Sequence, residues 1–225
     1  VCPDIAGRGL SDWLKDPAGY VIPNYVADVV TLIARLDVDT VDWVGISMGG
    51  LIGMALASME KTPVRRLVVS DVGPEITPES IQRIATYVGT DPRWANFDEA
   101  LAYIRVVSAP FGKLGDEQWR HLTEHCVRQD ADGGWRFRYD PKVAEPFKAA
   151  FSGGPIDLWP IYERIACPTL VVRGAESDLL TRETWQRMGS CGPRAKLAEI
   201  PEVGHAPLFL TDDQIAVARD FLLAP

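Results

Sequence analysis

Gly45-Ile46-Ser47-Met48-Gly49 sets a serine between two glycines in the pattern G-x-S-x-G, directly after the short, mostly β-branched or aromatic run Val41 to Ile46. A strand that turns at once into a helix holds its corner residue in a strained conformation, tolerable when the neighbours two positions away carry no side chain. Gly45 and Gly49 meet that need, so Ser47 is expected at the tip of a nucleophile elbow. The same turn aims the Met48 N–H and the start of the following helix at an oxygen held beside Ser47, which makes Met48 the expected oxyanion donor.

A serine hydroxyl attacks well only when a base takes its proton. The chain has three histidines. His205, in Val203-Gly204-His205-Ala206-Pro207, follows a short strand and precedes the last helix, on a loop free to reach across a sheet edge. For the acid that orients it, the order serine, acid, histidine admits Asp71, Glu176 and Asp178. Asp178 follows the strand Thr169 to Arg173 through Gly174-Ala175-Glu176-Ser177, at the strand end where open α/β sheets keep their chemistry. That position favours Asp178, so the expected triad is Ser47, Asp178 and His205.

The other two histidines stand in His121-Leu122-Thr123-Glu124-His125, an H-x-x-E-H pattern that in some metalloproteases places two zinc ligands one helical turn apart. A catalytic zinc needs a third protein ligand and outer-shell support, and no suitably spaced glutamate motif follows. The match reads as a solvated helix face. Neither metal nor cofactor is expected.

These residues need elements to carry them. Val26, Val29, Val30, Ile33 and Leu36 recur at helical spacing behind the start signals Pro23 and Asn24, predicting a helix from Asn24 to Leu36. Val41 to Ile46, the glycine cluster and Leu51 to Met59 form a strand, sharp turn and helix. Leu67 to Val69, Thr169 to Val172 and Leu197 to Ile200 read as buried strands, and Asp212 to Leu223 as a closing helix. Between Glu75 and Ile165 the character changes to helical patterns, over Ser80 to Val88, Asp98 to Val107 and Glu117 to Val127. There Asp132-Gly133-Gly134 and the alternation from Trp135 to Tyr139 suggest a turn and one short strand. The predicted organisation is a core of residues 1–74 and 166–225 with a helical insertion at 75–165.

Composition narrows the function classes. The 225 residues are 47% hydrophobic and 24% charged, enough for one sizeable core. Acidic residues outnumber basic ones 31 to 23, for a formal charge of -8, so a phosphate backbone would meet net repulsion and no nucleic-acid partner is expected. The four cysteines are scattered without zinc or redox spacing, which fits a reducing cytoplasm. No apolar run approaches the length of a membrane span, and the N-terminus has no signal-peptide pattern.

Taken together, the motifs resemble the α/β-hydrolase fold enzymes that carry a helical cap, esterases and carbon-carbon bond hydrolases among them. Asp4-Ile5-Ala6-Gly7-Arg8-Gly9-Leu10-Ser11-Asp12 is similar to the family's loop after its fourth strand, Gly45 to Gly50 to its elbow, Gly174 to Leu180 to its acid loop and Gly204-His205 to its histidine loop. The resemblance implies a mostly parallel sheet flanked by helices, with an inserted cap. It also implies three further strands and a second oxyanion N–H ahead of Val1, so the chain reads as the larger part of a protein about 50 residues longer.

The cap region holds 13 of the 20 aromatic residues, including Trp94, Phe111, Trp119, Trp135, Phe137, Phe151 and Trp159, and is expected to roof the nucleophile with apolar surface. The expected activity is hydrolysis of a small, largely apolar carboxylic ester through an acyl-enzyme. Two alternatives stay open. One is carbon-carbon cleavage of a vinylogous diketone, which the resemblance implies would use the same triad, and the other is ligand binding without turnover.

Overall fold

The structure, a computed structural model, describes residues 1–150 and 156–225. Phe151, counted above among the cap aromatics, lies outside the described residues. The strands are β1 (Val41–Ile46), β2 (Val64–Ser70), β3 (Glu75–Ile76), β4 (Val127–Gln129), β5 (Trp135–Phe137), β6 (Ile156–Asp157), β7 (Thr169–Gly174) and β8 (Lys196–Ile200). The α-helices are α1 (Ile22–Arg35), α2 (Met48–Ala57), α3 (Pro78–Ala85), α4 (Phe97–Val107), α5 (Asp116–Cys126), α6 (Ala144–Ala150), α7 (Trp159–Tyr162), α8 (Arg182–Met188) and α9 (Asp212–Leu222).

Four strands form one parallel sheet in the order β1-β2-β7-β8. Its two faces follow from the period-two alternation of a strand. Leu67, Val69 and Val171 point into a core shared with α1 and α2, while Val68, Leu170 and Val172 point into a second core closed by Ala218 and Phe221 of α9. Every residue of β7 is buried, as expected of a strand covered on both faces. Each buried Val or Leu contributes about 1.5 to 3 kcal/mol of transfer free energy, and this holds the sheet rigid beneath the loops that matter.

Helix α1 shows how local pattern becomes packing. Pro23 sits in its first turn, where a missing N–H costs nothing, and Tyr25, Val29 and Ile33, spaced by four, supply its buried stripe.

Among the described residues, those between β2 and β7 add no strand to the main sheet. They form α3 to α7 and two short antiparallel ribbons, β3-β6 and β4-β5. Trp94, Ala100, Ile104, Trp119 and Val127 make a separate small core there. The turn at Asp132 to Gly134 does close a hairpin, but it has two strands rather than one. Val127, read from sequence as the end of a helix, instead opens β4, where it pairs with Phe137 and is fully buried. Helices α6, α7 and α8 are too short for helical periodicity to show in the sequence.

Candidate active site

Sheet register places the chemistry. Gly45 pairs with Val69 and Ile46 with Ser70, and the Ser47 N–H donates to the Ser70 carbonyl at 2.9 Å. One strand over, the Asp71 N–H donates to the Val172 carbonyl at 2.8 Å. Ser47 and Asp71 are thus the first residues beyond two adjacent strand ends, and both turn with positive φ, 50° and 55°.

At the elbow, α2 starts directly after Ser47. Gly50 and Leu51 donate to the Ser47 carbonyl at 2.8 and 3.2 Å, so the N–H groups of Met48 and Gly49 stand ahead of the helical ladder. A Cβ on Gly45 would overlap the Gly49 carbonyl, which explains the first glycine of the motif. The second is different from expectation. A Cβ at Gly49 would meet nothing within 4 Å, whereas one at Gly50 would lie 2.6 Å from Val72 Cγ1, so close helix-to-sheet packing falls on Gly50. Trp43 Nε1 donates to the Gly49 carbonyl at 3.0 Å and pins the turn from below.

His205 sits on the loop after β8. The Gly204 N–H donates to the Pro110 carbonyl at 2.7 Å, and the Pro207 carbonyl accepts from Ser70 Oγ at 2.9 Å, so the loop is held from the 75–165 region and from β2. A Cβ on Gly174 would overlap the Gly204 carbonyl, which shows how closely the histidine loop approaches the end of β7. So held, His205 Nε2 lies 3.0 Å from Ser47 Oγ and His205 Nδ1 lies 2.8 Å from Asp71 Oδ2.

The acid is where the structure corrects the sequence reading. Asp71, not Asp178, meets the imidazole. Its carboxylate is fully buried and satisfied on every side: Oδ1 accepts the Gly174 N–H at 2.8 Å, and Oδ2 accepts Ser177 Oγ–H at 2.6 Å as well as His205. Three donors thus converge on the one carboxylate. Asp178 is one residue past the inward-facing Ser177 and points out, where it pairs with Arg83 of α3 and keeps half of its side chain exposed. Glu176 is exposed as well.

Two supporting residues escaped the sequence reading. Ser177 Oγ also accepts the N–H groups of Leu179 and Leu180 at 3.2 and 3.1 Å, which fixes its hydroxyl toward Asp71. Arg173, 5% exposed, donates to the carbonyls of Leu180, Ala175 and Ser177 at 2.7, 3.0 and 3.1 Å and pairs with Glu199 at 2.8 Å. A charged residue inside a buried strand, followed by a loop, was the available signal, because burial of an arginine demands acceptors.

Ser47 and His205 open into a cavity of about 550 Å³. From the 75–165 region its wall takes Tyr87, Tyr103, Phe111, Phe137 and Tyr139. The tryptophans take other places. Trp94 and Trp119 are buried in the separate small core, and Trp159 packs in the main core beneath the Arg187 guanidinium. Trp135 lines a second cleft, of about 650 Å³, that contains neither Ser47 nor His205. Burial raises the Tyr87 and Tyr139 phenols and the Cys126 thiol above their ordinary values, so these cavity groups are neutral at neutral pH.

His121 and His125 stack on α5 at 4.4 Å, and His125 Nδ1 lies 2.8 Å from the His121 carbonyl oxygen. Among the described residues no group of three or more His, Cys, Asp or Glu side chains gathers to hold a metal, and no helix is long and apolar enough to cross a membrane.

Comparison with known proteins agrees with this architecture. Residues 1–219 match the model of the alpha/beta hydrolase family. The chain is 50% identical to the 3-hydroxybutyrate-oligomer hydrolase of Cupriavidus necator, over 98% of this chain and 78% of that protein. It is 26% identical to the 2-(acetamidomethylene)succinate hydrolase of Mesorhizobium japonicum, over 91% and 71%. Among solved structures, an alpha/beta hydrolase from Novosphingobium aromaticivorans superposes with a TM-score of 0.88 at 34% identity, covering 98% of this chain and 78% of the other. With the parallel sheet, the serine elbow at its edge and the family match over nearly its whole length, this chain belongs to the α/β-hydrolase family and is a hydrolase.

Proposed function

We propose that this protein is a serine hydrolase of carboxylic esters, with Ser47 as nucleophile, His205 as general base and Asp71 as the acid that orients it. The observation that carries the reading is the continuous chain from Ser47 Oγ through His205 to Asp71 Oδ2, with contacts of 3.0 and 2.8 Å. His205 Nε2 takes the Ser47 proton as Oγ attacks the ester carbonyl, and the oxyanion that forms is met by the Met48 N–H. Collapse expels the alcohol, protonated by His205, and leaves an acyl-enzyme. Water, deprotonated by the same imidazole, then releases the acid and free Ser47. Asp71 keeps the proton on Nδ1 throughout, so Nε2 is always the basic nitrogen.

Residues 75–165 serve in this reading as a cap, since their aromatic side chains line the cavity over Ser47. The substrate class is an ester of short hydroxy acids. The likeness to a 3-hydroxybutyrate-oligomer hydrolase at 50% identity supports this choice.

The test pairs turnover with covalent labelling. Wild-type protein should release 3-hydroxybutyrate from its dimer and trimer and should react with a fluorophosphonate probe, and Ser47→Ala should do neither while keeping its circular dichroism spectrum. Labelling without ester turnover, together with cleavage of a vinylogous diketone, would move the reading to carbon-carbon hydrolysis. A folded Ser47→Ala protein with most of its activity would refute it.

A further inference from the structure

Three arginines line the cavity above Ser47, and two of them are already satisfied. Arg83 is paired with Asp178, and Arg138 donates to the carbonyls of Val127 and Glu124 at 3.2 and 3.4 Å. Arg8 differs. Its half-buried guanidinium has only two long contacts, from Nη1 to the Tyr25 hydroxyl at 3.3 Å and from Nη2 to Met48 Sδ at 3.8 Å. No carboxylate lies within ion-pair distance of it among the described residues. The cavity's own aspartate, Asp4, turns its Oδ2 to the Leu10 N–H at 2.9 Å.

A guanidinium carries five N–H donors in a fixed fork that matches a carboxylate. Most of these donors meet no protein acceptor among the described residues, which leaves them open to a ligand in the cavity. The backbone that presents Arg8 is firmly held. Its N–H donates to the Ile5 carbonyl at 3.0 Å, the residue bridges to Tyr139, and the Gly9 N–H donates to the Arg138 carbonyl at 2.8 Å. The backbone is thus fixed, and the guanidinium it carries lies against the side chain of Met48, the residue next to Ser47.

The geometry points to Arg8 as the binding site for a substrate carboxylate, which makes the enzyme selective for esters whose leaving alcohol carries a free acid. This rests on the ester-hydrolase reading and deepens it. In an ester of a 3-hydroxy acid the carboxylate is three bonds from the scissile ester oxygen, so both groups would sit in the one cavity that Ser47 and Arg8 line together. A neutral ester of the same shape would leave the guanidinium without its partner.

The experiment measures kcat/KM for the 3-hydroxybutyrate dimer as free acid and as its methyl ester, in wild type, Arg8→Met and Arg8→Lys. The readout is the ratio of the two values. Wild type should favour the free acid by roughly 10- to 100-fold, the range set by a charge-assisted pair of hydrogen bonds. Arg8→Met should bring the ratio close to one, and Arg8→Lys should keep part of it. Fluorophosphonate labelling reports whether each variant retains a working Ser47. If Arg8→Met does not fold, the wild type still decides, through inhibition of p-nitrophenyl acetate hydrolysis by 3-hydroxybutyrate against its methyl ester. Equal inhibition by the two, or a ratio unchanged in folded Arg8→Met, overturns the assignment of Arg8 and leaves the ester reading standing. A wild type that cleaves neither dimer and does not label overturns both.

Discussion

Replacing Asp71 by Asn changes one atom and tests the whole reading of the site. The carboxylate accepts from three donors: Gly174 N–H on Oδ1, and Ser177 Oγ–H and His205 Nδ1–H on Oδ2. An asparagine can replace only one oxygen at no cost. With its NH2 toward Gly174, two donors face each other in a fully buried place, at a cost of about 1 to 3 kcal/mol. With its NH2 toward His205, the imidazole can shift its proton to Nε2 and accept, and the remaining conflict falls on the Ser177 hydroxyl, which already accepts from Leu179 and Leu180 but can rotate its own hydrogen away, as the Gly174 N–H cannot. The second arrangement is therefore preferred, and it leaves Nε2–H pointing at Ser47 Oγ, where a base is needed. Asp71→Asn should fold normally yet lose about 10³- to 10⁴-fold in kcat, roughly 4 to 5.5 kcal/mol of barrier. Asp178→Asn removes an ion pair between a half-exposed carboxylate and the partly buried Arg83, away from His205, so its activity should stay within a few-fold of wild type. Both variants can be read on p-nitrophenyl butyrate beside circular dichroism. A folded Asp71→Asn protein that keeps more than a tenth of its activity, with Asp178→Asn losing orders of magnitude, would return the acid to Asp178.

The two glycines of the elbow should behave oppositely. Gly45→Ala drives a methyl into the Gly49 carbonyl and should cost about 1 to 3 kcal/mol or more, whereas Gly49→Ala meets open space inside α2 and should stabilise by about 0.5 to 1 kcal/mol. Equal melting temperatures for the pair would show the turn to be built differently. Ser177→Ala removes a donor to Asp71 and the acceptor of two buried N–H groups. It should lower kcat roughly tenfold at unchanged KM and lower stability by about 1 to 3 kcal/mol, and a variant with native kcat would remove Ser177 from the support of Asp71.

Much of this protein could be read from its residues in order. The strand, turn and helix around Ser47 are local: β-branched residues, a glycine where a Cβ cannot fit and an apolar helix lie within one short stretch, and Val41–Ile46 is a strand over the bounds that its pattern predicts. The stripe of α1 and the uninterrupted burial of β7 follow from periodicity in the same way. His205 was legible because only three histidines exist and one follows a strand next to a glycine.

The carboxylate that meets His205 was not legible, and the reason is geometric. Asp71 and Asp178 both follow buried strands, and their order along the chain is equally acceptable. What separates them is that β2 lies between β1 and β7, so the residue ending β2 falls between the elbow and the acid loop. That adjacency is made by hydrogen bonds between strands far apart in sequence. The choice also turns on a single residue of phase in the loop after β7, where Ser177 faces in and Asp178 faces out. The buried Arg173 sets that phase by gathering the carbonyls of Ala175, Ser177 and Leu180. Residue type and spacing therefore singled out Ser47 and His205, which the structure brings together, as the candidate pair. Only the packing of the sheet decided which aspartate stands behind them, because a carboxylate's role depends on which donors surround it, and those donors come from the end of β7, the loop that follows it and the loop after β8.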